Sequence, residues 1–274
     1  MLNFKVDKQI CSTCGECAKM CPAGVIDLVD GYPLIAKEKE LGCYRCQHCF
    51  TICEPGAISI VDLDPKASIS LGKPLIDPDS FETFIKGRRT IRAYQQEDLD
   101  PALIQRLLDV AWHAPSGKNE RKVRFTLIDK REKLAEFREM IVADLSARAK
   151  ENKLPQGQEV FGYFAQLWQQ KKIDVIFRGA PHLIIASAPK RAVSPLPDCL
   201  IALSYFDLFA QSLGVGTVWS GLVKWVIDDI LPETKEFLNI PNDHVIGYCM
   251  VFGKPAVKFA RTAQRGQANI HIVR

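Results

Sequence analysis

From residue 100 the chain reads Asp-Pro-Ala-Leu-Ile-Gln-Arg-Leu-Leu-Asp-Val-Ala-Trp-His-Ala, and apolar side chains recur at helical spacing. This predicts an amphipathic helix that buries Leu103, Leu107, Val110 and Ala111, with Asp100 as its cap and Pro101 in its first turn. Residues 79–88, Asp-Ser-Phe-Glu-Thr-Phe-Ile-Lys-Gly-Arg, predict a shorter helix capped by Asp79 or Ser80. The apolar runs at 123–129 and 181–188 predict strands, and 244–253 predicts the last strong one. Between them, 197–214 predicts an apolar helix ending at Gly214. Helices alternating with strands make residues 80–274 an α+β or α/β unit. The stretch from about 132 to 177 reads as helical and polar, with Phe161, Tyr163, Phe164 and Trp168 close together. Two readings stay open for it: a helical pair packed on the core, or a lid over an active site.

The first sixty residues have a different texture. Residues 25–36, Val-Ile-Asp-Leu-Val-Asp-Gly-Tyr-Pro-Leu-Ile-Ala, predict a β-hairpin with Asp30-Gly31 as its tight turn. Beyond residue 62 three prolines and no clear periodicity predict a linker or extended arm. The expected organisation is one module over 1–62, a linker over 63–79 and a second domain over 80–274.

Composition changes this picture little, except for cysteine. The 274 residues are 47% hydrophobic and 25% charged, an ordinary globular mix. A net charge of +4 is mild, so nucleic acid is not an expected partner, whereas an anionic cofactor or an acidic redox protein is easily accommodated. No apolar run is long enough to span a bilayer, and Met-Leu-Asn-Phe-Lys-Val-Asp lacks the apolar core of a signal peptide, so a cytoplasmic location is expected. In a reducing compartment clustered cysteines point to metal or cluster ligation rather than disulfides.

Eight of the ten cysteines form a repeat. A shift of 32 residues lays Cys11, Cys14, Cys17 and Cys21 on Cys43, Cys46, Cys49 and Cys53, Gly24 on Gly56, and Ile26 on Ile58. Three cysteines at successive two-residue gaps can wrap one corner of a cubane, but so short a loop cannot close around it, and the fourth thiolate must come from elsewhere. Zinc sites use pairs of cysteines and fit such triplets poorly. Residues 5–62 resemble bacterial-type ferredoxins with two [4Fe-4S] clusters. The resemblance implies crossed ligation, with Cys11, Cys14, Cys17 and Cys53 on one cluster and Cys43, Cys46, Cys49 and Cys21 on the other. The second copy departs from the pattern, reading Cys-Glu-Pro instead of Cys-Pro, and a turn shifted by one residue is expected there.

The second unit carries four polar or glycine-rich segments in order: Gly-Arg-Arg-Thr-Ile-Arg-Ala-Tyr (87–94), His-Ala-Pro-Ser-Gly-Lys-Asn (113–119), Ser-Leu-Gly-Val-Gly-Thr-Val-Trp-Ser-Gly-Leu (212–222) and Gly-Lys-Pro-Ala-Val-Lys-Phe-Ala-Arg-Thr-Ala-Gln-Arg (253–265). Arginine suits phosphate, and glycines let backbone approach a ligand closely. Together the segments resemble the FMN-dependent nitroreductase family over residues 80–268. That resemblance implies a central, mainly antiparallel sheet flanked by helices and an FMN site. Arg88, Arg89, Thr90 and Arg92 match the N-terminal segment, with Arg88 on the phosphate and Arg92 at the pyrimidine edge, where a cation stabilises the anionic reduced flavin. Ser116 and Asn119 match the Pro-Ser-x-x-Asn segment, and Trp219, Ser220 and Gly221 match the stretch along the isoalloxazine ring. Arg265, and with it Arg261, matches the C-terminal phosphate ligand. Where the family often continues Asn-x-Gln-Pro-Trp, this chain has Asn119-Glu120-Arg121-Lys122-Val123, which removes the usual substrate-side contacts. No strand–GxGxxG–helix unit marks a nicotinamide domain.

Three further residues invite chemistry. Cys249, in an apolar strand, is expected to be a buried small hydrophobe. Cys199 lies near a helix N-terminus, where thiol pKa values fall. His113 is expected to end its helix rather than donate a proton. Both resemblances together imply a homodimeric oxidoreductase. Electrons from a low-potential donor protein would pass through two [4Fe-4S] clusters to FMN and on to an organic acceptor such as a nitroaromatic or quinone. Two alternatives stand beside it: an electron-transfer protein with only protein partners, and a protein that uses FMN as a substrate.

Overall fold

The computed structural model describes residues 2–72 and 76–274. By contact it divides into two compact units, Met1–Ile76 with Lys118–Glu120, and Asp77–Gly117 with Arg121–Arg274. Of the expected linker, Pro65–Ala67 form a 3-10 turn capped by Asp64, residues 73–75 lie outside the described residues, and 78–79 already belong to a helix.

The first unit is built from very short elements: β1 (Lys5–Val6), α1 (Glu16–Lys19), β2 (Asp27–Val29), β3 (Tyr32–Leu34), α2 (His48–Thr51) and β4 (Ile58–Ser59). β1 pairs with β4, and β2 with β3, both antiparallel. Asp30 and Gly31 take φ of 51° and 82°, the left-handed pair that a two-residue hairpin turn requires, so the predicted hairpin is present. The 32-residue repeat is also a repeat of backbone. Left-handed φ recurs at Thr13 and Arg45, at Gly15 and Gln47, and at Gly24 and Gly56. The substitution of Cys-Glu-Pro for Cys-Pro moves no turn, contrary to expectation. Gly24 N–H donates to Cys21 O at 3.1 Å and Gly56 N–H to Cys53 O at 2.9 Å. Proline changes place inside the turn, but its fourth residue stays glycine and keeps the register.

The second unit is α+β. Its elements are α3 (Pro78–Gly87), α4 (Pro101–Trp112), β5 (Arg124–Ile128), α5 (Arg131–Lys150), α6 (Val160–Lys171), β6 (His182–Pro189), α7 (Pro195–Ser212), β7 (Gly216–Trp219), α8 (Gly221–Trp225), α9 (Thr234–Phe237) and β8 (His244–Gly253). The sheet has the order β5-β6-β8-β7, and every neighbouring pair is antiparallel. Along β6, Leu183 and Ile185 join α5, α6 and α8 in one core, while Ile184, Ala186 and Ala188 join α4 and α7 in the other. β8 alternates likewise, Cys249 and Val251 against Met250 and Phe252. Both faces are covered, so the central strands read as unbroken apolar runs although they are antiparallel. Residues 132–177 hold the pair α5 and α6, with Leu134, Phe137, Ile141, Leu145, Phe161 and Ala165 buried in the first core.

Two helix details differ from expectation. Asp77 caps α3, its side chain accepting from Ser80 N–H, because Pro78 occupies the first turn and places the cap two residues ahead of Asp79. Asp100 caps α4 as expected, but the buried stripe is Ile104, Leu107 and Ala111, with Leu103 and Val110 half-buried. α7 runs to Ser212, and Gly214 follows with a left-handed φ of 71°.

Candidate cluster sites and flavin pocket

All ten cysteines are free. The third thiol of each triplet is the buried one, Cys17 in the first copy and Cys49 in the second. Burial pushes the Cys17 thiol up, and the neighbouring Cys14 and Cys53 push the same way. Cys49 is pushed up to about 11 by burial, with Cys43, Cys46 and Cys21 as its charged neighbours. Cys21, Cys43, Cys46 and Cys49 also line one cavity, closed by Ile26, Ile35 and Ile60. Cys11 is half-buried, its N–H donating to Asp7 O.

Main-chain N–H groups point at these sulfurs. Arg45 N–H donates to Cys43 Sγ at 3.3 Å and Ala57 N–H to Cys53 Sγ at 3.2 Å. The exposed Cys14 thiol is lowered by the N–H of Glu16 and by Ser12. The left-handed residues between the cysteines turn these donors inward. Such donors favour thiolate, the form that iron binds. Among the described residues no three Cys, His, Asp or Glu groups converge on one ion. A cubane asks for something else, because each of its irons takes a single protein thiolate and the sulfurs stay apart. The thiols present therefore fit two [4Fe-4S] clusters.

In the second unit, Arg88, Arg89, Asp207, Gln211, Thr217 and Lys258 line a cavity of about 340 Å³. Its lining includes a buried carboxylate that the sequence pattern concealed, because Asp207 sits in the apolar helix α7. Arg88 Nε lies 2.9 Å from Asp207 Oδ2 without the alignment of a hydrogen bond, and an Nη of the same guanidinium donates to Oδ1 at 3.2 Å. Thr217 Oγ1 donates to Asp207 Oδ1, and Trp219 Nε1 donates to Oδ2 at 2.8 Å. Arg88 further donates to Thr90 Oγ1 at 3.3 Å. One carboxylate thus fixes Arg88, Thr217 and Trp219. The only sequence signal for it was an acidic residue inside an apolar helical run. Arg89 lies over the Phe259 ring. With Arg88, Arg89 and Lys258 against Asp207, cations outnumber carboxylates in the lining, a charge balance that fits an FMN phosphate.

The remaining expected ligands lie elsewhere. Arg92 is exposed and lines a different cavity, with Arg138 and Trp168. Ser116 lines a small cavity with Trp112 and Asp198, and its Oγ accepts from Arg121 N–H. Asn119 groups with the first unit, where its Nδ2 donates to Tyr44 O and Arg45 O at 3.0 and 3.1 Å. Ser220 is buried and caps α8, accepting from Val223 N–H, while its hydroxyl donates to Ile176 O. Gly221 starts that helix, close to the Tyr248 hydroxyl. Arg261 and Arg265 are exposed on a C-terminal segment without regular structure. Gly216 makes room for protein, not ligand: a Cβ there would stand 2.5 Å from Ile91.

Cys249 is fully buried, as expected. Cys199 is corrected. Despite its place in the first turns of α7, burial pushes its thiol up to about 12. Desolvation against β8 outweighs the helix end, and at neutral pH the residue is an unreactive thiol. His113 is the C-cap of α4.

An antiparallel sheet covered on both faces by helices, with a cation-lined cavity at the end of α3, defines an α+β cofactor-binding protein. The chain belongs to the nitroreductase family, whose model matches residues 85–254. Residues 10–58 match the model of a 4Fe-4S dicluster domain. A putative NADH dehydrogenase/NAD(P)H nitroreductase of Methanothermobacter thermautotrophicus is 30% identical over 178 residues, which is 63% of this chain and 75% of the relative. A protein of the same description from Archaeoglobus fulgidus is 24% identical over 172 residues, 61% of this chain and 81% of that one. Among solved structures, an FMN-bound nitroreductase of Bacteroides fragilis superposes with a TM-score of 0.57 at 23% identity, covering 72% of this chain and all of that one. No helix among the described residues is long and apolar enough to cross a membrane.

Proposed function

We propose that this chain is an FMN-dependent oxidoreductase that takes electrons from a low-potential donor protein through two [4Fe-4S] clusters and delivers them in pairs to an organic acceptor. When bound, the clusters carry single electrons and FMN carries one or two. The observation that carries the reading is the joining, in one chain, of two thiol groups furnished with N–H donors and a nitroreductase fold whose cavity gathers Arg88, Arg89 and Lys258. The FMN held by the Bacteroides fragilis structure and the nitroreductase description of the archaeal relatives support it.

On this reading Arg88 and Arg89 take the FMN phosphate, Asp207 orients Arg88, and Trp219, tied to the same carboxylate, stands on the ring side. Cys11, Cys14, Cys17 and Cys53 hold one cluster, and Cys21, Cys43, Cys46 and Cys49 the other. A homodimer accompanies the proposal. Leu196, Leu200, Ile201 and Tyr205 form an exposed apolar row along α7, the kind of face that an obligate subunit interface covers. Anaerobic purification decides the cofactors: about eight irons and eight acid-labile sulfides per chain are expected from two cubanes, with one FMN. A cysteine-bound zinc preparation without sulfide would refute the cluster assignment. Light scattering decides the assembly, a mass of 30.7 kDa with FMN fully bound being the result against a shared site.

A further inference from the structure

The two halves of the cysteine repeat are alike in backbone and unlike in cover. The 32-residue shift lays Ser12 on Tyr44 and Cys14 on Cys46. In the first half Ser12, Thr13 and Cys14 are all exposed, and Cys14 is the one exposed thiol among the described residues. The Glu16 N–H and Ser12 both approach its sulfur. In the second half Tyr44 and Cys46 are half-buried and share one cavity with the other three thiols of their group, walled by Ile26, Ile35 and Ile60. No Asp, Glu, Lys or Arg stands in that lining. Aligned main-chain donation is equal, one N–H reaching Cys53 in the first group and one reaching Cys43 in the second. Formal charge pulls the other way, since Arg45 belongs to the second half and Glu16 to the first. Arg45 is exposed, however, and Glu16 pairs with Lys19 at 2.6 Å, so solvent and salt screen both. The difference in cover therefore decides. Reduction adds negative charge to a centre already ringed by thiolates. Water and polar donors favour that added charge, and an apolar wall opposes it.

We infer that Ser12 and Tyr44, equivalent residues of the repeat, set the two clusters at different potentials, so that the open first group accepts an electron before the enclosed second group does. The inference rests on the proposed cluster function and deepens it. An electron arriving from the donor protein settles first behind Cys14, and the group behind Tyr44 fills last. The small polar residue leaves its cluster wet, and the ring keeps water from the other.

An anaerobic redox titration of the full chain, followed by electron paramagnetic resonance, tests this without turnover. Cys14→Ser and Cys46→Ser, one in each triplet, assign the two signals whichever fourth ligand each cluster uses. FMN is counted separately in every preparation. The first electron is expected to favour the first group by about tenfold or more, which is about 59 mV for a one-electron couple. Tyr44→Ser should raise the second potential, Ser12→Tyr should lower the first, and each should narrow the gap. Should Tyr44→Ser fail to assemble the second cluster, Ser12→Tyr still decides, because it alters only the other half. Signals that grow together in the native chain, or a second group that fills first, overturn the inference. A gap that neither exchange narrows overturns it as well. A gap found as expected in a native preparation without FMN refutes the flavin reading and leaves the unequal clusters standing.

Discussion

The two units reach order by opposite means. The first has helices of four residues and strands of two or three, and its core of Leu2, Val25, Ile26, Ile35, Phe50, Ile58 and Ile60 includes the thiols of Cys17 and Cys49. The second packs two apolar cores against the faces of one sheet, with β6 buried along nearly its whole length. Elements as short as those of the first unit cannot persist alone, since a single helical turn does not repay its nucleation. What stays constant between its halves is the conformation that presents thiols, repeated at Thr13 and Arg45 and at Gly15 and Gln47. A fold written in backbone conformation around ligands should depend on those ligands, and a fold written in side-chain packing should not.

Cluster removal is the strongest test of that contrast. Anaerobic treatment with chelator and oxidant should unfold the first unit completely, because ligand binding is then most of its folding free energy. The thermal transition of the second unit should persist. Hydrogen exchange measured unit by unit reads both, and retained protection at Ile58 and Ile60 in the stripped protein would reject the idea. Within the first unit, Cys21→Ala should damage the cluster of Cys43, Cys46 and Cys49 and spare the other. Electron paramagnetic resonance of the three-iron product identifies which cluster was hit, and damage confined to the first triplet's cluster would sink the crossed pattern.

The second unit should break where its packing is tightest. A Cβ on Gly247 of β8 would stand 2.1 Å from the Cβ of Cys199 on α7. Gly247→Ala should therefore cost about 3 kcal/mol, at the upper end of overpacking. Cys199→Ala, which removes only a buried sulfur, should cost about 1 kcal/mol. Urea unfolding followed by tryptophan fluorescence measures both, and a neutral Gly247→Ala would mean that α7 and β8 can slide apart. Neither change should touch the clusters.

Arg88 joins packing to ligand binding, and its substitution sharpens the comparison further. Arg88→Ala should weaken FMN by about 1.5–3 kcal/mol, the worth of a charge-assisted contact. Riboflavin, which lacks the phosphate, should be unaffected. Flavin fluorescence titration separates the two. Equal losses for both flavins would show that Arg88 serves only to neutralise Asp207.

How much of this was legible follows the same division. The cysteine repeat, the Asp30-Gly31 hairpin and the Asp100 cap are local chemistry, and each can be read from a few adjacent residues. Asp207 could not be placed, because the partners that explain it, Arg88 at one end and Thr217 and Trp219 at the other, are joined only by the packing of α7 on the sheet. Cys199 misled for a related reason. Its helix position argues for a low thiol pKa, and the strand that buries it lies far away in sequence. Gly216 looked like a ligand approach and is instead a seat for Ile91. Local rules reported most of the conformation, missing the Asp77 cap and the unmoved Cys-Glu-Pro turn, and reported long-range desolvation poorly.

The smallest expected effect is a titration confined to the second unit. His182 is fully buried at the start of β6, its Nε2 accepting from Leu99 N–H at 2.9 Å and its ring 5.1 Å from that of Phe252. Burial lowers its pKa below the usual histidine value, against the weaker opposing pull of Asp98 and Asp129. The folded state therefore holds the neutral imidazole, which the Leu99 contact requires. In the unfolded chain the residue takes up a proton near pH 6.5. Above that pH neither state is protonated there and the full stability is present. As pH falls from 6.5 towards the depressed folded pKa, only the unfolded state binds the proton, and stability declines by up to about 1.4 kcal/mol per pH unit. His182→Asn keeps an acceptor for Leu99 but cannot titrate. Its unfolding free energy, taken from the second unit's fluorescence, should change less between pH 7.5 and 5.5 than that of the native chain. His244, also lowered by burial, is present in both proteins and cancels in the difference. Identical pH slopes for the two chains would show that His182 accepts a proton without leaving its place.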